Sequence, residues 1–147
     1  MRIPTSVKAA MATAIASAAA VIGLSAPADA AGGDGVCQVR EWCLYASVNL
    51  GGSLYDYSGG DTNYSNEKFL TAGVGQFRAV ANRALSGDNR NLTMYVQAFT
   101  GPNFTGTRGV AAPGTSGTFA RTYFANLESH YFSRGPAGVA PAPGLLR

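Results

Sequence analysis

This sequence has little with which to do acid–base or metal chemistry. Its 147 residues include one histidine and two cysteines. Cys37 and Cys43 are too far apart for a C-x-x-C pair, and no second pair of ligands accompanies them, so a metal site is not expected. There is no G-x-S-x-G elbow, no H-E-x-x-H helix and no phosphate-binding loop. Asp56, Asp61 and Glu67 are carboxylates without a spacing that fixes a geometry. The lone His130 reads as a structural histidine. No catalytic residue and no cofactor is assigned, and an enzyme is not expected. Charge is sparse as well, with 13% charged residues and a net charge of +3, one unit of which comes from Arg2, Lys8 and Asp29. Arg78, Arg83 and Arg90 fall close together, but with Glu67 and Asp88 nearby and no lysine cluster they read as a solvated face. Nucleic acid and anionic lipid are therefore excluded as partners. Beyond residue 30 no apolar run approaches the roughly 20 residues of a membrane span.

What is present begins with a leader. Arg2 and Lys8 precede an alanine-rich apolar run over residues 9–24, and Ala28-Asp29-Ala30 fits a small-residue cleavage site. Residues 1–30 are thus predicted to be a secretory signal peptide, with the mature chain starting near Ala31 and working outside the cell, free of the membrane. Roughly 115 remaining residues make one domain, expected to act as a monomer. Export to an oxidising compartment makes a Cys37–Cys43 disulfide the default expectation.

In chain order, residues 31–36 read as a flexible lead-in and residues 58–67 as a long polar loop. Residues 76–85 alternate well enough to predict a strand, and residues 86–91 read as a turn-rich linker between two halves. Residues 92–99 are the best strand, with Leu92, Met94, Val96 and Ala98 on one face and Thr93, Tyr95, Gln97 and Phe99 on the other. Residues 101–106 turn the chain, and residues 107–112 form another strand. Aromatic-rich segments over residues 119–124 and 127–132 close the domain. From residue 133 to residue 147 the Pro/Gly/Ala composition predicts a disordered tail.

An internal repeat is the most informative feature. Tyr45 stands seven positions before Gly52, and Phe99 stands seven before Gly106, the two instances being 54 positions apart. Leu50 of the first instance corresponds to Phe104 of the second. Each instance falls where short β-prone runs flank glycines, the signature of a hairpin. Two such units cannot each bury a core alone, so an all-β sandwich of two Greek-key units is predicted over residues 37–132.

With the aromatic, six residues and a glycine, twice over, the chain resembles a βγ-crystallin domain. Cys37, then Trp42-Cys43-Leu44-Tyr45, then Gly51-Gly52, is similar more closely to the secreted bacterial metalloproteinase-inhibitor family built on that fold. The resemblance makes Tyr45, Gly52, Phe99 and Gly106 structural motif residues. It implies a proteinase partner and a reactive loop on the second hairpin, residues 100–107, with Pro102, Asn103 and Phe104 as candidate contacts. In the family a second disulfide braces that loop, and this chain has none to offer. The crystallin resemblance also implies a calcium motif, aligned here with residues 74–79, which lack side-chain oxygens in the required pattern. In residues 125–130 of the second half Asn126 and Ser129 remain, and their expected role is to hydrogen-bond the hairpin. Two further readings stay open. One is a carbohydrate or cell-envelope binding module using Tyr45, Tyr55, Tyr57 and Tyr64; the other is a purely structural domain.

Overall fold

A computed structural model describes residues 31–135 and 144–147. The expected leader and residues 136–143 of the expected tail lie outside the described residues. Among the described residues seven strands follow one another as β1 (Trp42–Tyr45), β2 (Leu54–Tyr57), β3 (Ser86–Asn89), β4 (Tyr95–Gly101), β5 (Thr105–Ala111), β6 (Ser116–Thr118) and β7 (Ser129–Ser133), with one 3-10 turn at Tyr64–Asn66. They form two antiparallel sheets, ordered β2-β1-β3-β6 and β5-β4-β7. The all-β sandwich read from the repeat is the observed fold.

Each half lends a strand position to the other. β6 belongs to the second half yet pairs with β3 in the first sheet. In return Asp61 of the first half bridges His130 on β7, with amide–carbonyl bonds of 2.9 Å in both directions. The halves are therefore interlocked and cannot separate without breaking sheet pairing. Between the sheets lie Trp42 and Leu44 from β1, Tyr57 from β2, Val96 and Ala98 from β4, and Phe119 just past β6, all buried. Strand alternation explains the selection. Trp42, Leu44, Tyr55 and Tyr57 share the inner face, and Cys43 and Asp56 point outward.

That outer face is covered by the lead-in. The Asp56 carboxylate accepts hydrogen bonds from the amides of Gly33 (2.6 Å), Asp34 (3.2 Å) and Gly35 (2.8 Å). The Cys37–Cys43 disulfide, with Cα atoms 5.9 Å apart, ties the segment down again. A stretch that reads as flexible from its glycines is thus held by a buried carboxylate, because successive amides of a glycine-rich turn converge on one anion.

Four further expectations are corrected. Residues 86–91, read as a linker, contain the strand β3 at the centre of the first sheet. Gly87 sits there because a Cβ would lie 2.5 Å from Trp42 and 3.0 Å from Phe119. Residues 76–85 form turns, not a strand, and the leading part of the 92–99 strand is also irregular, leaving Leu92 70% exposed. Finally, residues 144–147 are not a loose end. The Leu145 side chain is fully buried, its amide bonds to Val110 and its carbonyl accepts from Ala120, each at 2.9 Å. Arg147 donates its amide to Thr118, also at 2.9 Å, so the terminus spans from β5 to β6.

Candidate functional site

The two hairpin tips, joining β1 to β2 and β4 to β5, match residue for residue. Asn49 and Leu50 have φ of 54° and 59°; Asn103 and Phe104 have 53° and 60°. Gly52 and Gly106 follow at 74° and 79°, the left-handed conformation that glycine adopts without cost. For the side-chain-bearing residues it costs roughly 1–2 kcal/mol each, so the tips must be held from outside.

Two serines hold them. Ser86 Oγ accepts from the Leu50 amide at 2.9 Å and donates to the Ser47 carbonyl at 2.6 Å. Ser129 Oγ repeats this, accepting from the Phe104 amide at 3.1 Å and donating to the Gly101 carbonyl at 2.6 Å. The preceding amides are caught by the opposite half. Asn49 donates to Thr118 Oγ1 at 3.1 Å, and Asn103 donates to the Thr62 carbonyl at 2.7 Å. Sequence reasoning singles out Ser129 and misses Ser86, which lies in the stretch that reads as a linker.

The second tip differs in what it shows to solvent. Pro102, Asn103 and Phe104 are all exposed, Phe104 to 39%. Its ring leans edge-on against Tyr131 with centroids 5.3 Å apart, and lies 5.9 Å from the ring of Phe99. The Thr105 amide and hydroxyl both donate to the Pro102 carbonyl, at 3.2 and 2.6 Å. The Thr107 amide donates to Thr100 Oγ1 at 2.9 Å. Leu50, at the matching place of the first tip, is only half-exposed.

A family model described as peptidase inhibitor family I36 matches residues 30–111, more than half of the chain. The chain belongs to that family. Among solved structures it is similar to a βγ-crystallin domain from work on the evolution of the eye lens fold, at 14% identity and a TM-score of 0.56, covering 71% of this chain and 97% of that one. A point mutant of a βγ-crystallin domain from Clostridium beijerinckii is 17% identical, with a TM-score of 0.49, covering 65% of this chain and all of that one. None of the curated proteins matches this sequence. The family is one of inhibitors and the fold is βγ-crystallin-like, as the hairpin motifs imply.

The calcium motif implied by the crystallin fold falls elsewhere than at residues 74–79. Ser86 and Ser129 do the same work, Asn82 and Ala125 share a left-handed backbone (φ 56° and 51°), and the two loops bond reciprocally. Asn82 donates its amide to the Leu127 carbonyl and Ala125 to that of Ala84, each at 3.0 Å. The counterpart of residues 125–130 is therefore residues 82–87, not 74–79. Neither stretch fits a hard cation. In the first, Arg83 puts a positive charge where an oxygen ligand is needed. In the second, Ala125 has no side-chain oxygen. Asn126 does not reach the hairpin; its amide donates to the Thr122 carbonyl at 3.0 Å.

The other candidates resolve by burial. Tyr57 and Tyr64 are core residues, while Tyr45 and Tyr55 are half-buried, so the tyrosines form no exposed platform for a sugar ring. His130 is fully buried between Tyr57, Tyr64 and Phe132. Burial pushes its pKa down to about 3, leaving it neutral and out of reach of any substrate. Ser129 beside it is committed to the hairpin. Among the described residues no helix is long and apolar enough to cross a membrane.

Proposed function

We propose that this chain is a secreted proteinase inhibitor that presents residues 100–107 to a proteinase. The observation that carries the reading is a tip that is both exposed and held. Asn103 and Phe104 face solvent, while their amides are fastened to Thr62 and Ser129. A loop that is already ordered loses less freedom on binding, which favours affinity. In this chain the bracing that a second disulfide would provide falls to Ser129, to the two bonds onto the Pro102 carbonyl and to the Phe99–Phe104–Tyr131 ring cluster. Pro102 further restricts the backbone. The single closed disulfide suits an exported protein. The reading also assigns no catalytic role to any residue.

The test is a panel of purified secreted metalloproteinases and serine proteinases assayed with the purified chain. Dose-dependent inhibition of at least one of them is the expected result. If none is slowed at micromolar concentrations, the inhibitor reading fails and a structural role takes its place.

A further inference from the structure

Residues 68–79 form a further protrusion, packed against the chain at Gly52 and Ser53 where the first hairpin tip ends. Its base is closed by the Lys68–Ala79 bridge and by reciprocal bonds: the Phe69 amide to the Arg78 carbonyl at 3.0 Å, and the Phe77 amide to the Phe69 carbonyl at 2.9 Å. Within it, Gln76 donates its amide to Gly73 at 3.2 Å, and Arg78 donates to Gly75 at 3.0 Å. The Ser53 amide holds the Val74 carbonyl at 2.9 Å, which fixes the protrusion to the sandwich. Its backbone is thus pinned, and Phe69 is in the core, but two of its apolar side chains face water. Val74 is 71% exposed and Phe77 70% exposed. Phe77 also has φ of 64°, a strained conformation for a bulky residue, adopted here to place an aromatic ring in water. Neither the strain nor the exposure stabilises the fold.

Beside the protrusion lies a groove of about 320 Å³ lined by Ala46, Val74, Gly75, Arg78, Arg83 and Ala125 and backed by the fully buried Phe69. No acidic residue lines it. Among the described residues neither arginine has an ion-pair partner; Arg90, the third of the arginines grouped by sequence, stands 3.9 Å from Asp88. Glu128, beyond Asn82, is held by that residue's amide. Two guanidinium groups in a lining with apolar Ala46, Val74 and Ala125 suit a carboxylate next to an apolar group, since the guanidinium fork matches a carboxylate in two hydrogen bonds. A small molecule filling the groove would leave Phe77, which does not line it, in water, whereas a protein segment running past the groove can cover Phe77 as well.

We propose that this face, built by residues 73–83, is a protein-docking site that receives a segment carrying an acidic side chain flanked by apolar ones. It shares no residue with residues 100–107, and it stands or falls independently of the inhibitor reading.

The test is amide chemical-shift mapping on the isotopically labelled chain, titrated with a capped five-residue peptide alternating leucine and glutamate. Saturable shifts confined to residues 73–83 and the other lining residues Ala46, Phe69 and Ala125 are expected, with binding at least tenfold weaker when glutamine replaces glutamate. Arg78→Glu combined with Arg83→Glu should weaken binding at least tenfold and leave the shifts of Asn103 and Phe104 in place. Phe77→Gly should hold or raise the melting temperature, because glycine relieves the strained φ, yet weaken the peptide at least fivefold. The proposal is overturned by the absence of saturable shifts at residues 73–83, by equal binding of the glutamine peptide, or by undiminished binding to the variants. It is also overturned if N-acetyl-leucine, a small apolar carboxylate, binds as tightly as the peptide.

Discussion

The Tyr64 hydroxyl lies 2.7 Å from Nδ1 of His130, with both side chains fully withdrawn from solvent. This pair ties the 3-10 turn of the first half to β7 of the second, at the place where the halves exchange strand positions. It also sets how the fold responds to acid. In the unfolded chain His130 takes up a proton near its ordinary 6.5, whereas in the folded chain it resists until about 3. The stability it confers is present above pH 6.5 and lost progressively as pH falls toward 3, by up to roughly 1.4 kcal/mol per pH unit. Glu41 and Glu67, whose carboxyls burial pushes up, act in the opposite direction. Urea unfolding as a function of pH should therefore show a loss of stability on acidification that is removed in His130→Gln. A variant with the same acid slope as the wild type would assign the sensitivity elsewhere.

Asp56 should matter more than the disulfide. Replacing it with alanine leaves the amides of Gly33, Asp34 and Gly35 without their shared acceptor, an expected loss of about 3 kcal/mol. Opening the Cys37–Cys43 link with two serines should cost about 2 kcal/mol, because the closed loop is short. Denaturant midpoints of the two variants give the order directly. The reverse order would mean that the lead-in is held by the covalent link alone.

Leu145 should behave as a core residue although it lies in the last three positions of the sequence. Leu145→Ala is expected to destabilise by about 3 kcal/mol through the lost burial and the cavity left near Gly109 and Val110. An unchanged melting temperature would show that the terminus does not dock in solution.

The hairpins are legible in the sequence because their chemistry is local. A positive φ at Gly52 and Gly106 and an aromatic seven residues earlier can be read from spacing alone. β3 is not legible, because Ser86-Gly87-Asp88-Asn89 is composed of turn-forming residues, and the reason for Gly87 is the approach of Trp42 and Phe119 from distant segments. The same applies to Leu145, whose burial depends on a slot between β5 and β6 that the Pro/Gly/Ala-rich approach to it does not announce. Residues 76–85 mislead in the other direction. Their alternation is real, but Phe77 faces solvent and Val80 enters the core, so alternation there does not report a sheet. The placement of the calcium motif at residues 74–79 fails for a related reason. The shared hydrogen bonds of Ser86 and Ser129 and the left-handed backbone of Asn82 and Ala125 reveal which residues of the two halves correspond.

The pseudo-symmetry of the two tips supplies the control for the central claim, that residues 100–107 are the inhibitory segment. The measurement is the inhibition constant of the wild type, of Asn103→Ala with Phe104→Ala, and of the matched Asn49→Ala with Leu50→Ala, against a proteinase that the wild type inhibits. The variants lose different contacts, Asn49→Ala the bond from Thr118 Oγ1 and Phe104→Ala the ring contacts with Phe99 and Tyr131, so equal melting temperatures are the check that neither is selectively unfolded. The expected result is at least tenfold weaker inhibition for the second-tip variant and a near wild-type constant for the first-tip variant. Equal constants for the wild type and the second-tip variant would contradict the account.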